Sequence, residues 1–197
     1  MSSHHFVKEG QEPPLLILDP VPFDVVSGLL EWSPTVLVTG NSLQYVHSWG
    51  IKIDVVLIHQ HELNTLQPLL ADLSPVDVLT FDNEVGLFQT CFDFLVRQGQ
   101  SSATIITFDA KELFPVLKGY LDTFRLVLQE THTRWVPVFH VFEKWVPANT
   151  VFHLWRQNPH SPISHDGLFE QTNGLISRVD GLVRLESEDP FWIGQAL

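Results

Sequence analysis

From Leu15 to about Leu128 the chain alternates short apolar runs with amphipathic segments of helical period. That order is the pattern of βα units wound around a mostly parallel sheet, and few other architectures accommodate it. Strands are expected at Leu15 to Leu18, Thr35 to Thr39, Asp54 to Ile58, Val76 to Thr80, Ala103 to Thr107 and Phe124 to Leu128. Helices are expected at Phe23 to Trp32, Ser42 to Trp49, Glu84 to Gln98 and Lys111 to Tyr120. The longest of these carries Leu87, Cys91, Phe94 and Leu95 on one face, at i, i+4, i+7 and i+8. Pro115 kinks the last helix or delays its start.

After Thr133 the pattern changes to short β-rich runs punctuated by Pro, Asn and Gly: Trp135 to Phe142, Thr150 to Trp155, Gly174 to Arg178, Gly181 to Glu186 and Phe191 to Gly194. Alternation in Leu182-Val183-Arg184-Leu185-Glu186 suits a half-exposed antiparallel strand. The expected organisation is an α/β domain over residues 1-133 followed by a small β-domain over 134-197. A β-domain of roughly 60 residues is marginal alone and packs against its neighbour or a second subunit.

Charge narrows the partners. With 23 acidic against 11 basic side chains the net charge is −12, which repels nucleic acid and anionic membrane surfaces. An anionic ligand needs local cations or a metal to offset that field. The single cysteine, Cys91, excludes an intrachain disulfide, and no apolar run approaches the roughly 18 residues of a membrane span. The opening has no basic region followed by an apolar run, so the expected location is cytoplasmic.

In open α/β sheets ligands collect at the carboxyl ends of the strands. Two of the expected strands run straight into polar side chains there, His59-Gln60-His61-Glu62 and Thr80-Phe81-Asp82-Asn83-Glu84. Gly40 after the second strand suits a tight turn that lets backbone approach a nucleotide, although such a glycine is more often only a turn.

Three blocks resemble thiamine pyrophosphokinases, particularly a bacterial branch. They are Met1-Ser2-Ser3-His4-His5-Phe6-Val7 with Glu9-Gly10-Gln11-Glu12-Pro13, Gly50-Ile51-Lys52-Ile53-Asp54-Val55-Val56-Leu57, and Phe142-Glu143-Lys144-Trp145-Val146-Pro147-Ala148-Asn149-Thr150. The resemblance implies an α/β nucleotide-binding domain, a C-terminal β-sandwich and a homodimer. It also implies transfer of pyrophosphate from Mg-ATP to thiamine, giving AMP and thiamine diphosphate. Chemistry of that kind is mostly positioning and charge neutralisation.

The departures from the family pattern fall where that chemistry would be. The family's Asp-Gly turn lies at Thr39-Gly40, beside Asn41, so the acid is gone and the glycine kept. Its Gly-Asp-x-Asp-Ser motif lies at Ile58-His59-Gln60-His61-Glu62, with histidine for both aspartates. Its Asp-Gln-x-x-Thr-Asp motif lies at Asp82-Asn83-Glu84-Val85-Gly86-Leu87, which keeps the first acid and loses the last. A glycine-rich loop leading to Asp-His is replaced by Phe108-Asp109-Ala110-Lys111-Glu112-Leu113. The resemblance thus implies Thr39, Gly40 and Asn41 as the nucleotide-side segment, Asp82 and Glu84 as remnants of the catalytic site, and Ser177 on the thiamine side. Catalysis is expected to be weak or absent.

Three alternatives stay open. Asp82 and Glu84 either hold a cation or simply begin a helix, whose N-terminus favours acids. His59 and His61 share one side of an extended segment and suit a transition metal, although catalytic zinc needs three protein ligands. Trp135, Trp145, Trp155 and Trp192 either face an aromatic ligand or fill a core or subunit interface.

Overall fold

The computed structural model describes residues 12–172 and 174–197. The opening block of the family resemblance therefore lies largely outside the described residues. The chain divides into two compact units, one running to Phe108 and including Asp122–Arg125, the other made of Asp109–Leu121 and Leu126–Leu197.

The first unit alternates β1 (Leu15–Ile17), α1 (Phe23–Leu30), β2 (Val36–Thr39), α2 (Gly40–His47), β3 (Val55–His59), α3 (Leu63–Asp72), β4 (Asp77–Phe81), α4 (Glu84–Arg97) and β5 (Ser102–Ile106). The strands pair in parallel in the order β5-β1-β2-β3-β4. Period-2 alternation divides them between two faces. Leu15, Ile17, Val36, Val38, Val56, Ile58 and Ile106 share one cluster with apolar side chains of α1, α2 and α3. Leu16, Leu37, Val55, Leu57 and Ile105 point the other way and are equally buried. Burial on both faces makes β1, β2, β3 and β5 near-continuous apolar runs, whereas β4, at the end of the order, is largely exposed. On α4, Cys91, Phe94 and Leu95 are buried at the expected spacing, together with Phe88 and Phe92.

One helix is not among the expected elements. The segment Leu63–Asp72 is helical despite Pro68, which lies on its exposed side. Leu63, Leu66, Leu69, Leu70 and Leu73 all pack against the core. Burial of that stripe outweighs the one backbone bond that Pro68 cannot donate.

The second unit contains α5 (Ala110–Leu117), β6 (Arg125–Gln129), β7 (Thr133–Val138), β8 (Val141–Val146), β9 (Val151–Arg156), β10 (Ser164–Asp166), β11 (Phe169–Gln171), β12 (Gly174–Ile176), β13 (Gly181–Glu186) and β14 (Phe191–Ala196). Pro115 sits inside α5, which continues into a 3₁₀ turn. Where one β run is expected from Trp135 to Phe142, the chain turns at 139–140 and forms β7 and β8. The strands are antiparallel and form the orders β11-β12-β9-β14-β7-β6 and β10-β13-β8. Val138, Phe152, Phe191 and Ile193 of the first order cluster with Val146, Val183 and Leu185 of the second.

The opposite face of β7, β9 and β14 is aromatic. Trp135, Trp155 and Trp192 alternate with the core residues, and all three meet Phe114 of α5. The ring centroids lie 5.3, 5.0 and 4.4 Å away. This is why α5 groups with the strands that follow it in sequence. Gly194 lies across from Trp135, and a Cβ there would come within 2.8 Å of three indole atoms.

Candidate functional site

Parallel pairing brings the carboxyl ends of β1 to β5 to one edge of the first unit. Thr39, at the end of β2, is 3% exposed, and its hydroxyl donates to the Leu18 carbonyl at 2.7 Å. Ser42 donates to the same oxygen at 2.8 Å. The Thr39 side chain is therefore a tie between β1 and β2. Gly40 opens α2 and Asn41 is exposed beside it. A Cβ on Gly40 would lie 3.2 Å from Leu66 Cδ1 and 3.3 Å from Glu62 Oε2, so glycine permits this close approach. The Glu62 carboxylate consequently sits against the positive end of α2, where a phosphate would otherwise be favoured.

At the end of β3, His59 and His61 are brought together with ring centroids 4.0 Å apart. His59 also meets the edge of Phe81, its register partner on β4, at 5.4 Å. Its Nδ1 is buried without a hydrogen-bond partner among the described residues. Asp82 and Asn83 follow β4 and are exposed. The cap of α4 is Asn83, whose Oδ1 accepts from Gly86 N at 2.9 Å, and Glu84 is the first helical residue.

The segment after β5 is already saturated. Asp19, just beyond β1, accepts from the Thr107 hydroxyl at 2.8 Å and from Phe108 N at 2.9 Å through the same oxygen. In the second unit Glu130 Oε1 accepts from Ala110 N at 2.8 Å while its Oε2 accepts from Trp135 Nε1 at 3.0 Å. Asp109 accepts from Lys111 N at 2.9 Å and caps α5. Amides at 108, 110 and 111 are thus held by the chain's own carboxylates. The sequence reading passes over Asp19 and Glu130. Both follow an apolar strand directly, which is the same signal that singles out residues 59–62.

Ser177 is fully buried. Its hydroxyl donates to Pro147 O at 2.7 Å and accepts from Thr150 N at 3.0 Å, so both capacities go to fastening the loop before β9. Trp135 and Trp192 are core residues at 2% and 3% exposure, Trp155 is half-buried, and Trp145 is 61% exposed opposite Leu182 on β13.

Mg²⁺ wants oxygen donors in near-octahedral geometry. The donors at the strand ends are imidazoles, a hydroxyl committed to a carbonyl, the Asp19 carboxylate committed to a backbone amide, and the carboxylates of Glu62 and the exposed Asp82. Among the described residues no three His, Cys, Asp or Glu side chains converge to hold a metal ion. These residues do not fit a magnesium–triphosphate group.

No protein-family model and no curated protein matches the sequence. Solved structures do match in shape. A thiamine pyrophosphokinase from Bacillus subtilis superposes with a TM-score of 0.62 at 9% identity, covering 93% of this chain and 98% of that one. The Candida albicans enzyme gives 0.68 at 7% identity, covering 94% and 89%. The yeast enzyme gives 0.70 at 7% identity, covering 96% and 87%. At such identities the likeness establishes the fold: this chain has the fold of thiamine pyrophosphokinases over nearly its whole length.

Proposed function

We propose that this chain is a thiamine pyrophosphokinase-like protein in which pyrophosphoryl transfer is weak or lost, and which persists as a binder of a small molecule or protein partner. In this reading the second unit corresponds to the family's β-sandwich, the protein works in the cytoplasm as a homodimer, and thiamine or a related molecule is its small-molecule ligand. ATP and Mg²⁺ belong to the family reaction and are not expected to be used here.

The observation that carries the reading is the saturated segment after β5, whose amides at 108, 110 and 111 already bond carboxylates. A phosphate at any one of these amides would have to displace a charge-assisted bond and meet a like charge. Removing one preorganised electrostatic contact typically costs about 10²–10³ in rate, so losing a backbone cradle together with the metal ligands accounts for a silent site. Asp82, with Glu84 two residues further on, is the remnant on which residual transfer would rest.

The test is AMP release from ATP, thiamine and Mg²⁺ by the purified full chain. Turnover within a few-fold of an ordinary pyrophosphokinase would refute loss of catalysis. Thermal shifts with thiamine, thiamine diphosphate and nucleotides test the binding role, because a ligand at about 100 times its Kd adds about 2.7 kcal/mol. A second reading, a transition-metal site on His59 and His61, is favoured by their ring contact. Metal content of the purified protein compared with His59→Ala and His61→Ala decides it, and absence of bound metal ends it.

A further inference from the structure

The second unit contains a cavity of about 360 Å³ that the strand-end site does not use. Ligand pockets usually span about 300–1,000 Å³, so this one has room for a small ring system. Its apolar wall is the aromatic face already described. Phe114 and Trp192 are 1% and 3% exposed and stack at 4.4 Å with rings inclined by 15°. Trp155, the cross-strand partner of Trp192, stands edge-on to Phe114 at 5.0 Å and is only half-buried. Two tightly held rings therefore support a third that still has surface to offer.

The charged groups lining the cavity are Lys118, Arg156 and Asp189. Cations outnumber acids here, in a chain whose net charge is −12. Both cations are positioned. Lys118 Nζ donates to Gln157 Oε1 at 2.8 Å, and Arg156 Nη1 donates to Ser161 O at 2.7 Å. An ammonium has three donors and a guanidinium five, so each retains N–H groups beyond these anchoring bonds. Aromatic surface beside anchored cations selects a flat ligand with an acidic group.

We propose that this cavity binds a small planar aromatic anion, its ring against Trp155 and its acidic group toward Lys118 and Arg156. The proposal goes beyond the pyrophosphokinase reading and stands apart from it, because every residue named lies in the second unit and none contributes to the strand-end site.

The probe is 2-naphthoate, titrated into the full chain by calorimetry and by tryptophan fluorescence, beside 2-naphthylmethanol and 2-naphthylmethylammonium, which carry the same ring. One-to-one binding of the naphthoate is expected, about tenfold tighter than the alcohol, with the ammonium weakest. Lys118→Gln changes an exposed side chain and should leave the melting temperature in place while weakening naphthoate about three- to fivefold. Trp155→Leu should weaken all three probes, and Trp145→Leu, on the exposed face of β8, should weaken none. Absence of saturable naphthoate binding up to about 1 mM would overturn the proposal. Equal affinity for acid and alcohol would overturn it too, as would a Lys118→Gln protein that binds like the unaltered chain. None of these outcomes depends on whether AMP is released.

Discussion

Glu130→Gln tests the internal satisfaction of the segment after β5, on which the functional reading rests. The carboxylate accepts at 2.8 Å from Ala110 N and at 3.0 Å from Trp135 Nε1, and these donors belong to residues that are 0% and 2% exposed. Glutamine has one acceptor oxygen. Whichever donor it serves, the other faces an NH₂ group at a partly buried position. A charge-assisted bond contributes about 1.5–3 kcal/mol, and a stranded buried donor costs about 1–3 kcal/mol. The two figures overlap, so the substitution should destabilise the second unit by about 2–3 kcal/mol. Urea unfolding followed by tryptophan fluorescence reads chiefly that unit, because four of the six tryptophans, Trp135, Trp145, Trp155 and Trp192, lie in it, and a Trp32→Phe, Trp49→Phe background isolates its signal. With a slope of roughly 2 kcal/mol/M the midpoint should fall by about 1–1.5 M. In a Trp135→Phe background, one oxygen suffices for Ala110 N, and the cost of Glu130→Gln should shrink by about 1–2 kcal/mol. A Glu130→Gln protein within about 0.5 kcal/mol of the unaltered chain would refute the reasoning, and so would a cycle without coupling. In that case the Ala110 amide would not be committed and would be open to a phosphate.

Gly194→Ala forces a methyl to within 2.8 Å of the Trp135 indole, and about 1–3 kcal/mol of destabilisation is expected by the same urea assay. Thr39→Asp places a carboxylate against the Leu18 carbonyl that now accepts the Thr39 hydroxyl; it should cost about 2–4 kcal/mol and yield no AMP release, measured by thermal melt and turnover. Cys91 is fully buried, and burial pushes its thiol up to about 12 from 9.0, so thiol reagents should label it only as fast as the chain unfolds. Above pH 9 the unfolded thiol ionises while the native one does not. Stability should therefore fall by about 1.4 kcal/mol per pH unit on this account between pH 9 and about 12, and the slope should vanish in Cys91→Ala.

The parallel α/β unit was legible because burial on both faces writes β1, β2, β3 and β5 as apolar runs, and the 3.6 period of α4 stands out over fourteen residues. The helix at 63–72 was not, since Pro68 interrupts a stripe of leucines whose value lies in the core they reach. Thr39, His59 and His61 could be placed at strand ends from the sequence. What Thr39 does there, tying β1 to β2, needed the fold. So did the joining of α5 to the strands after it, which depends on Phe114 meeting three tryptophans far along the chain.

Local periodicity, composition and strand-end residue types determined the α/β class, the change to β structure after Thr133 and the polar residues that end β3 and β4. Each of those properties follows from the order of residues along the chain, without any contact between distant segments. Only the tertiary structure decided that Asp19 reaches the Phe108 amide 89 residues away, that Glu130 satisfies Ala110 and Trp135 together, and that a cation-rimmed aromatic cavity forms beside α5. Hydrogen-bond partners and cavities belong to distances between segments, and those distances exist only once the strands have paired.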